Sequence, residues 1–267
     1  APDAFGVSIA TACGATLRAR ACVLACGASY VFQKRLGMGV PPLFLQSAQL
    51  ELPAAAAGDV ELHFGAEVAP RGFAWAVPVH RGSRAFARVG LMAARDAAGC
   101  FRRALDRIAP RWGIPVRQDY RPRLKVLPLA PVARTYAHRT LAIGDAAGLV
   151  KPTTGGGIYY SLVSGSIAAD VLAGLLRRND LSIGALAEYE RRWRRRLAPE
   201  LQAQLSLRMV AQRLSDPEID SLFELASTNG VMPIVRATAR FNRHRDLILS
   251  LFKHPPARRV LFRRLVG

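Results

Sequence analysis

Gly144 and Asp145 follow the short apolar run Leu141, Ala142 and Ile143. Ten residues beyond Asp145 come three consecutive glycines, Gly155, Gly156 and Gly157, at the start of a helix-forming stretch that opens at Ile158. The apolar run reads as a buried strand delivering Asp145 to its carboxyl end, the edge at which open α/β sheets bind ligands. An ionised carboxylate there can accept from the hydroxyls of a ribityl or ribose chain, a charge-assisted bond contributing about 1.5–3 kcal/mol. The same residue could instead cap the turn that follows. Each glycine costs about 0.5–1 kcal/mol of backbone entropy relative to alanine, so the run needs a reason. Without Cβ atoms the main chain admits a flat or anionic ligand, and the free amides at the helix start present positive partial charge. Close packing of helix on strand is the alternative reading of the same glycines.

Those residues need elements to hold them. Phe5 to Ala12, a turn near Cys13 and Gly14, and the chain from Ala15 read as a hairpin leading into the apolar segment RACVLACG, expected to be a strand buried on both faces. Gly27, Ala28 and Ser29 then turn into a short helix around Val31 to Leu36. Phe44 to Leu52, Val60 to Phe64, Gly72 to Val79 and Phe86 to Met92 are short extended segments between turn residues, the pattern of an antiparallel sheet. Asp96 to Ile108 has helical periodicity with Asp96 as cap and Pro110 as its stop, and Arg123 to Leu127 is extended again. From Ser182 the chain reads as helical, broken by Pro199, Pro217, Pro233 and the Pro255, Pro256 pair.

Taken together, the run GDAAGLVKPTTGGGIYYSLVSG resembles the second flavin-binding motif of the geranylgeranyl reductase group, within the class of flavoproteins that includes the aromatic hydroxylases. The resemblance covers roughly Ala21 through Phe252. It implies FAD as cofactor, with Asp145 at the ribityl chain and Gly144 among the cofactor-binding residues. It also implies that the backbone of Ala147, Gly148, Pro152, Thr154, Gly155, Gly156 and Gly157 lies along the isoalloxazine ring, with Ile158 opening the helix aimed at it. The segment VLACGAS resembles the family's strand ending in an A-D-G turn, with Cys26 at the acidic position and Gly27 as a further cofactor contact. GFAWAVPV resembles the aromatic-x-Trp-x-aromatic-Pro signature lining the lipid side of the active site, which assigns Phe73, Trp75 and Pro78 to substrate; Val77 replaces the second aromatic, and Gly90 followed by Leu91 stands where a glycine pair is usual. Nothing matches the G-x-G-x-x-G unit that binds the pyrophosphate in these flavoproteins. The expectation is that this unit lies upstream of Ala1, and that the chain by itself is inactive, binds FAD weakly or not at all and tends to aggregate.

Composition agrees with a globular protein: 51% of the 267 residues are apolar, enough for a substantial core. The net charge of +19 suits phosphates, anionic lipid headgroups or nucleic acid, and by itself names no partner. Its densest cluster, Arg191, Arg192, Arg194, Arg195 and Arg196, surrounds Trp193; it reads as a solvated helix face, with Trp193 at an anionic lipid interface as the alternative. Four cysteines are too few for a disulfide scaffold, and neither C-x-x-C nor a neighbouring histidine marks a metal site. Cys22 and Cys26, if on one strand, would stand about 13 Å apart, beyond disulfide reach. The stretch Ile158 to Leu176 imitates a membrane span in length, yet Asp170, serines and glycines favour a helix inside a globular protein. Ala1 to Ala4 reads as mid-domain sequence rather than a leader.

The reading is therefore an α/β protein (α+β overall): a discontinuous FAD-binding Rossmann-like domain over 1–38 and 130–180, an antiparallel-sheet substrate domain over 39–129, and a C-terminal helical region over 181–267. The activity implied is hydride transfer from reduced FAD to C=C bonds of an isoprenoid or similar apolar substrate, with NAD(P)H or ferredoxin as electron donor. Two alternatives are an FAD-dependent hydroxylase or epoxidase and a non-catalytic basic nucleic-acid-binding protein; the latter leaves the Gly144 to Ile158 segment unexplained, so no nucleic acid is expected. His63, His80, His138, Tyr159 and Tyr160 qualify as proton donors by residue type only. The compartment expected is cytoplasmic, with peripheral contact to an anionic membrane and an apolar small molecule or lipid as partner.

Overall fold

The computed structural model describes residues 2–3, 5–55, 58–227 and 231–262; Ala1 and Ala4, read above as mid-domain, lie outside them. By contacts the chain divides into two compact units, Ala1–Leu43 with Pro128–Leu205 and Phe44–Leu127 with Ser206–Gly267.

In the first unit, β1 (Val7–Ala10) and β2 (Thr16–Ala19) form the hairpin, with Val7 opposite Ala19. A second sheet joins β3 (Cys22–Leu24), β10 (Thr140–Ala142) and β9 (Tyr136–Ala137), in which β10 runs parallel to β3 and antiparallel to β9. The apolar run around β3 is not buried on both faces: the strand has three residues, pairs on one side among the described residues, and leaves Val23 40% exposed. A short helix α1 (Val31–Arg35) follows the Gly27 turn. Helix α3 (Ile158–Arg178) presents Tyr160, Ala168, Val171 and Leu175 to the core that β10 also fills. Its length and composition would suffice to cross a membrane.

The second unit is built on a sheet of order β5-β6-β7-β4-β8, from β4 (Phe44–Pro53), β5 (Glu61–His63), β6 (Phe73–Arg81), β7 (Arg84–Ala93) and β8 (Arg123–Pro128). The pairs β4–β7, β5–β6 and β6–β7 are antiparallel, as the alternation of short segments predicts. One face, with Ala74, Ala76, Val89 and Leu91, packs against helix α2 (Ala97–Trp112) through Phe101, Leu105, Ile108 and Trp112. That spacing is the i, i+4, i+7, i+11 stripe of an amphipathic helix. Asp96 caps α2 by accepting from the Gly99 amide at 3.0 Å. Pro110 does not stop it. The helix runs on to Trp112, which is buried, and ends at Gly113 in the left-handed conformation (φ 55°). Pro110 costs one amide bond in the last turn, which burial of the Trp112 indole outweighs.

Pro199 likewise lies inside a continuous helix, α4 (Ile183–Ala211). The other tail prolines fall in the first turns of α5 (Asp216–Ser227), α6 (Met232–Thr238) and α8 (Pro255–Phe262), where a missing amide hydrogen costs nothing, and α7 (Arg245–Lys253) completes the tail. They open helices rather than break them.

Candidate functional site

Strand β10 ends at Ala142, and Gly144–Ala147 forms a single 3₁₀ turn between two left-handed glycines, Gly144 (φ 54°) and Gly148 (φ 72°). Both glycines are required by crowding as well as by φ: a Cβ on Gly144 would strike Ser161, and one on Gly148 would strike the Ala130 carbonyl. The turn is held from several sides. The Tyr30 hydroxyl donates to the Asp145 carbonyl at 2.7 Å, and the buried Gln33 amide donates to the Ala146 carbonyl at 2.8 Å. The Gly144 amide donates to Ser164 Oγ at 3.0 Å on α3. From α4, the Tyr189 hydroxyl donates to the Ala142 carbonyl at 2.8 Å.

The Asp145 carboxylate is half-buried, and burial pushes its pKa up. It lies against Gly157, where a Cβ would strike Oδ1 and stand 2.9 Å from Val150 Cγ1. From Lys151 the chain closes a small loop, the Lys151 amide donating to the Gly156 carbonyl at 3.1 Å and the Gly155 amide to the Lys151 carbonyl at 2.8 Å. Gly155 is left-handed (φ 72°). Ala147, Gly148 and Pro152 are buried, whereas Thr154, Gly156 and Ile158 are exposed and Gly155 and Gly157 half-exposed. The surface offered is therefore bare backbone, a half-buried carboxylate and the amino end of α3. That combination of an acceptor, bare backbone and free amides suits a polyol chain joined to a planar, electron-poor ring, and on this observation the residues fit FAD.

Gly27 is left-handed (φ 67°), and a Cβ there would meet nothing within 4 Å. Cys22 and Cys26 are both free thiols, and no group of three or more metal-ligating side chains occurs among the described residues.

In the second unit, Phe73 and Trp75 lie on the face of β6 opposite α2. Trp75 is the register partner of Gly90, and a Cβ on Gly90 would stand 2.5 Å from the indole. Gly90 is what allows the indole to lie flat on the sheet. A row of rings extends from it, Trp75 to Phe73 at 5.8 Å, Phe73 to Phe64 at 5.7 Å and Phe64 to Phe223 of α5 at 5.4 Å between centroids. Pro78 pairs with Ala87 where β5, whose Glu61 is opposite Ala76, no longer reaches, so its absent amide hydrogen leaves no gap in the ladder.

Four of the five residues suggested by type as proton donors have structural partners. His63 and Arg111 share the Glu61 carboxylate, at 3.0 Å and 2.6 Å. His138 contacts the Asp3 carbonyl, and His80 is exposed at the end of β6. Tyr160 is buried with its pKa driven up by burial, accepting from Gln204 at 3.2 Å, and Tyr159 stacks edge-on against it. Trp193 is also not at a surface. It is 0% exposed, donates to Thr135 Oγ1 at 2.8 Å and lies beneath the Arg194 guanidinium. The arginines around it form the solvated face, with Arg191 and Arg192 paired to Glu188 and Arg194 to Glu190.

Sequence reasoning missed Tyr30, Gln33, Ser164, Gln204, Phe64 and Phe223. A polar residue inside an apolar helix is a signal for Ser164. For Gln33 and Gln204 there is none, since the partners that tie them to Ala146 and Thr153 lie 113 and 51 residues away.

The mixed α/β fold, with its antiparallel sheet and C-terminal helices, resembles the structures of FAD-dependent oxidoreductases. The fold is similar to that of a geranylgeranyl bacteriochlorophyll reductase-like protein from Thermoplasma acidophilum (TM-score 0.71, 21% identity, 94% of this chain and 62% of that one). It is also similar to that of the halogenase PltM in complex with FAD (TM-score 0.60, 15% identity, 98% and 56%). The chain belongs to the geranylgeranyl reductase-like family of FAD-dependent oxidoreductases, the family model described as lycopene cyclase protein matching residues 3–223. It is 34% identical over 202 residues to the digeranylgeranylglycerophospholipid reductase of Methanocaldococcus jannaschii, covering 73% of this chain and 50% of that one. It is 33% identical over 168 residues to a second such reductase, from Methanothermobacter thermautotrophicus, covering 61% and 42%. The chain thus spans about half the length of the curated relatives it matches.

Proposed function

We propose that the protein containing this chain is a flavin-dependent reductase that saturates C=C bonds of an isoprenoid lipid. The observation carrying this reading is the Asp145 carboxylate set against Gly157 at the end of a buried strand, a half-buried acceptor beside bare backbone. The curated relatives named as digeranylgeranylglycerophospholipid reductases support the substrate class.

When bound and reduced, FAD supplies the hydride. The second hydrogen of each saturated bond comes as a proton drawn ultimately from solvent, and the chain's own residues bind, orient and shield. Asp145 accepts from the ribityl hydroxyls, and the Thr154 to Gly157 backbone lets the ring approach. With FAD bound, the first amides of α3 would stabilise negative charge developing on it by about 0.3–1 kcal/mol. In the second unit the Trp75, Phe73 and Phe64 row offers an apolar surface for a polyisoprenyl chain and keeps water from it. The electron donor is NAD(P)H or ferredoxin.

The chain's charge of +19 and an apolar substrate support a cytoplasmic protein held peripherally at anionic membrane. The test is anaerobic turnover by the full-length protein with a polyunsaturated isoprenoid lipid. Gain of two hydrogens per double bond, read by mass spectrometry, is expected. An oxygen-dependent hydroxylated or epoxidised product would favour the monooxygenase reading, and a purified protein without bound or bindable flavin would sink both.

A further inference from the structure

The glycine corner is pinned at both ends by one buried side chain. Gln204 on α4 is 0% exposed. Its Oε1 accepts from Thr153 Oγ1 at 3.1 Å, and its Nε2 donates to the Tyr160 hydroxyl at 3.2 Å and to Glu200 Oε1 at 2.7 Å. The Glu200 carboxylate, which can only accept, fixes this amide orientation, and both hydroxyls are compatible with it. Thr153 precedes the three glycines and Tyr160 is the third residue of α3, so the two bonds bracket Gly155–Gly157. Beneath the same loop, Lys151 is buried with its pKa lowered by desolvation, an effect the nearby Glu200 carboxylate opposes.

Three glycines in a row sample more backbone states than any other tripeptide, and a ligand that binds them must first remove that freedom. Fixing the residues on either side removes much of it in advance. We propose that Gln204 is a positioning residue for the cofactor, holding the loop tip through Thr153 and the start of α3 through Tyr160 so that the glycine corner is shaped before flavin arrives. The inference rests on the reading of that corner as the flavin seat. It assigns a binding role to α4, an element that contributes no motif.

The test uses the full-length protein with Thr153→Val, Gln204→Leu and the double variant. Readouts are FAD dissociation constant, the visible absorption of bound flavin, its midpoint potential and thermal unfolding of the apo form. Thr153→Val removes one hydroxyl at a half-exposed position and is expected to weaken FAD binding about three- to tenfold, with a shifted flavin spectrum and an unchanged unfolding temperature. Gln204→Leu is expected to weaken it by about tenfold or more, and the double variant no further, because both changes break the same link. If Gln204→Leu fails to fold, Tyr160→Phe with Thr153→Val decides the question. Folded variants with wild-type affinity, spectrum and potential would overturn the proposal, as would fully additive losses. A wild-type protein that binds no flavin would show instead that the cofactor reading itself is wrong, before any variant is made.

Discussion

The Asp145 carboxylate lies against the α-carbon of Gly157, twelve positions along the chain, with no room for a methyl group between them. Gly157→Ala should therefore displace the carboxylate or the start of α3. Overpacking of this kind costs about 1–3 kcal/mol. The expected outcome is a lower unfolding temperature together with at least about tenfold weaker FAD binding by fluorescence titration; an alanine variant binding FAD like wild type would place the cofactor elsewhere.

Burial raises the Asp145 pKa, and the sign of the resulting pH dependence follows. A carboxyl whose folded pKa exceeds its unfolded value adds stability below the unfolded pKa, near 3.8, and loses it as pH rises through the folded pKa. At neutral pH the charged form is a cost of folding. Asp145→Asn should thus make the apo protein more stable at neutral pH, with the difference shrinking as pH falls toward 4. Loss of a charge-assisted acceptor, about 1.5–3 kcal/mol, should weaken FAD binding about ten- to a hundredfold. Calorimetry across pH and flavin titration read the two effects separately.

Gly90→Ala would push the Trp75 indole off the sheet, since the new methyl would stand 2.5 Å from it. The expected outcome is a raised KM for the lipid with flavin absorption unchanged. A parallel loss of flavin would argue against a substrate role for that face.

Trp193→Phe removes the bond to Thr135 Oγ1 and leaves the arginine face intact. It should cost about 1 kcal/mol of stability or somewhat more. Flotation with anionic vesicles should be unaffected, because the indole is buried; a loss of vesicle binding at unchanged stability would return Trp193 to a lipid interface.

The sequence by itself determined the local features. The strand before Asp145, the glycine corner, the Asp96 cap and the antiparallel segments were legible because period and turn chemistry act within about ten residues. Proline as a helix stop misled at Pro110 and Pro199, where burial of distant side chains overrode a local rule. Tertiary structure alone decided which distant residues hold the site. Tyr30 reaches Asp145 across 115 positions, Trp193 reaches Thr135 across 58, and Gln204 reaches Thr153 across 51. Each of these bonds forms only after separate elements have packed, and whether Trp193 meets a core or a membrane depends on what folds over it. A polar or aromatic side chain looks the same in the sequence whichever partner the fold brings, which is why those supports could be read only from the packed molecule.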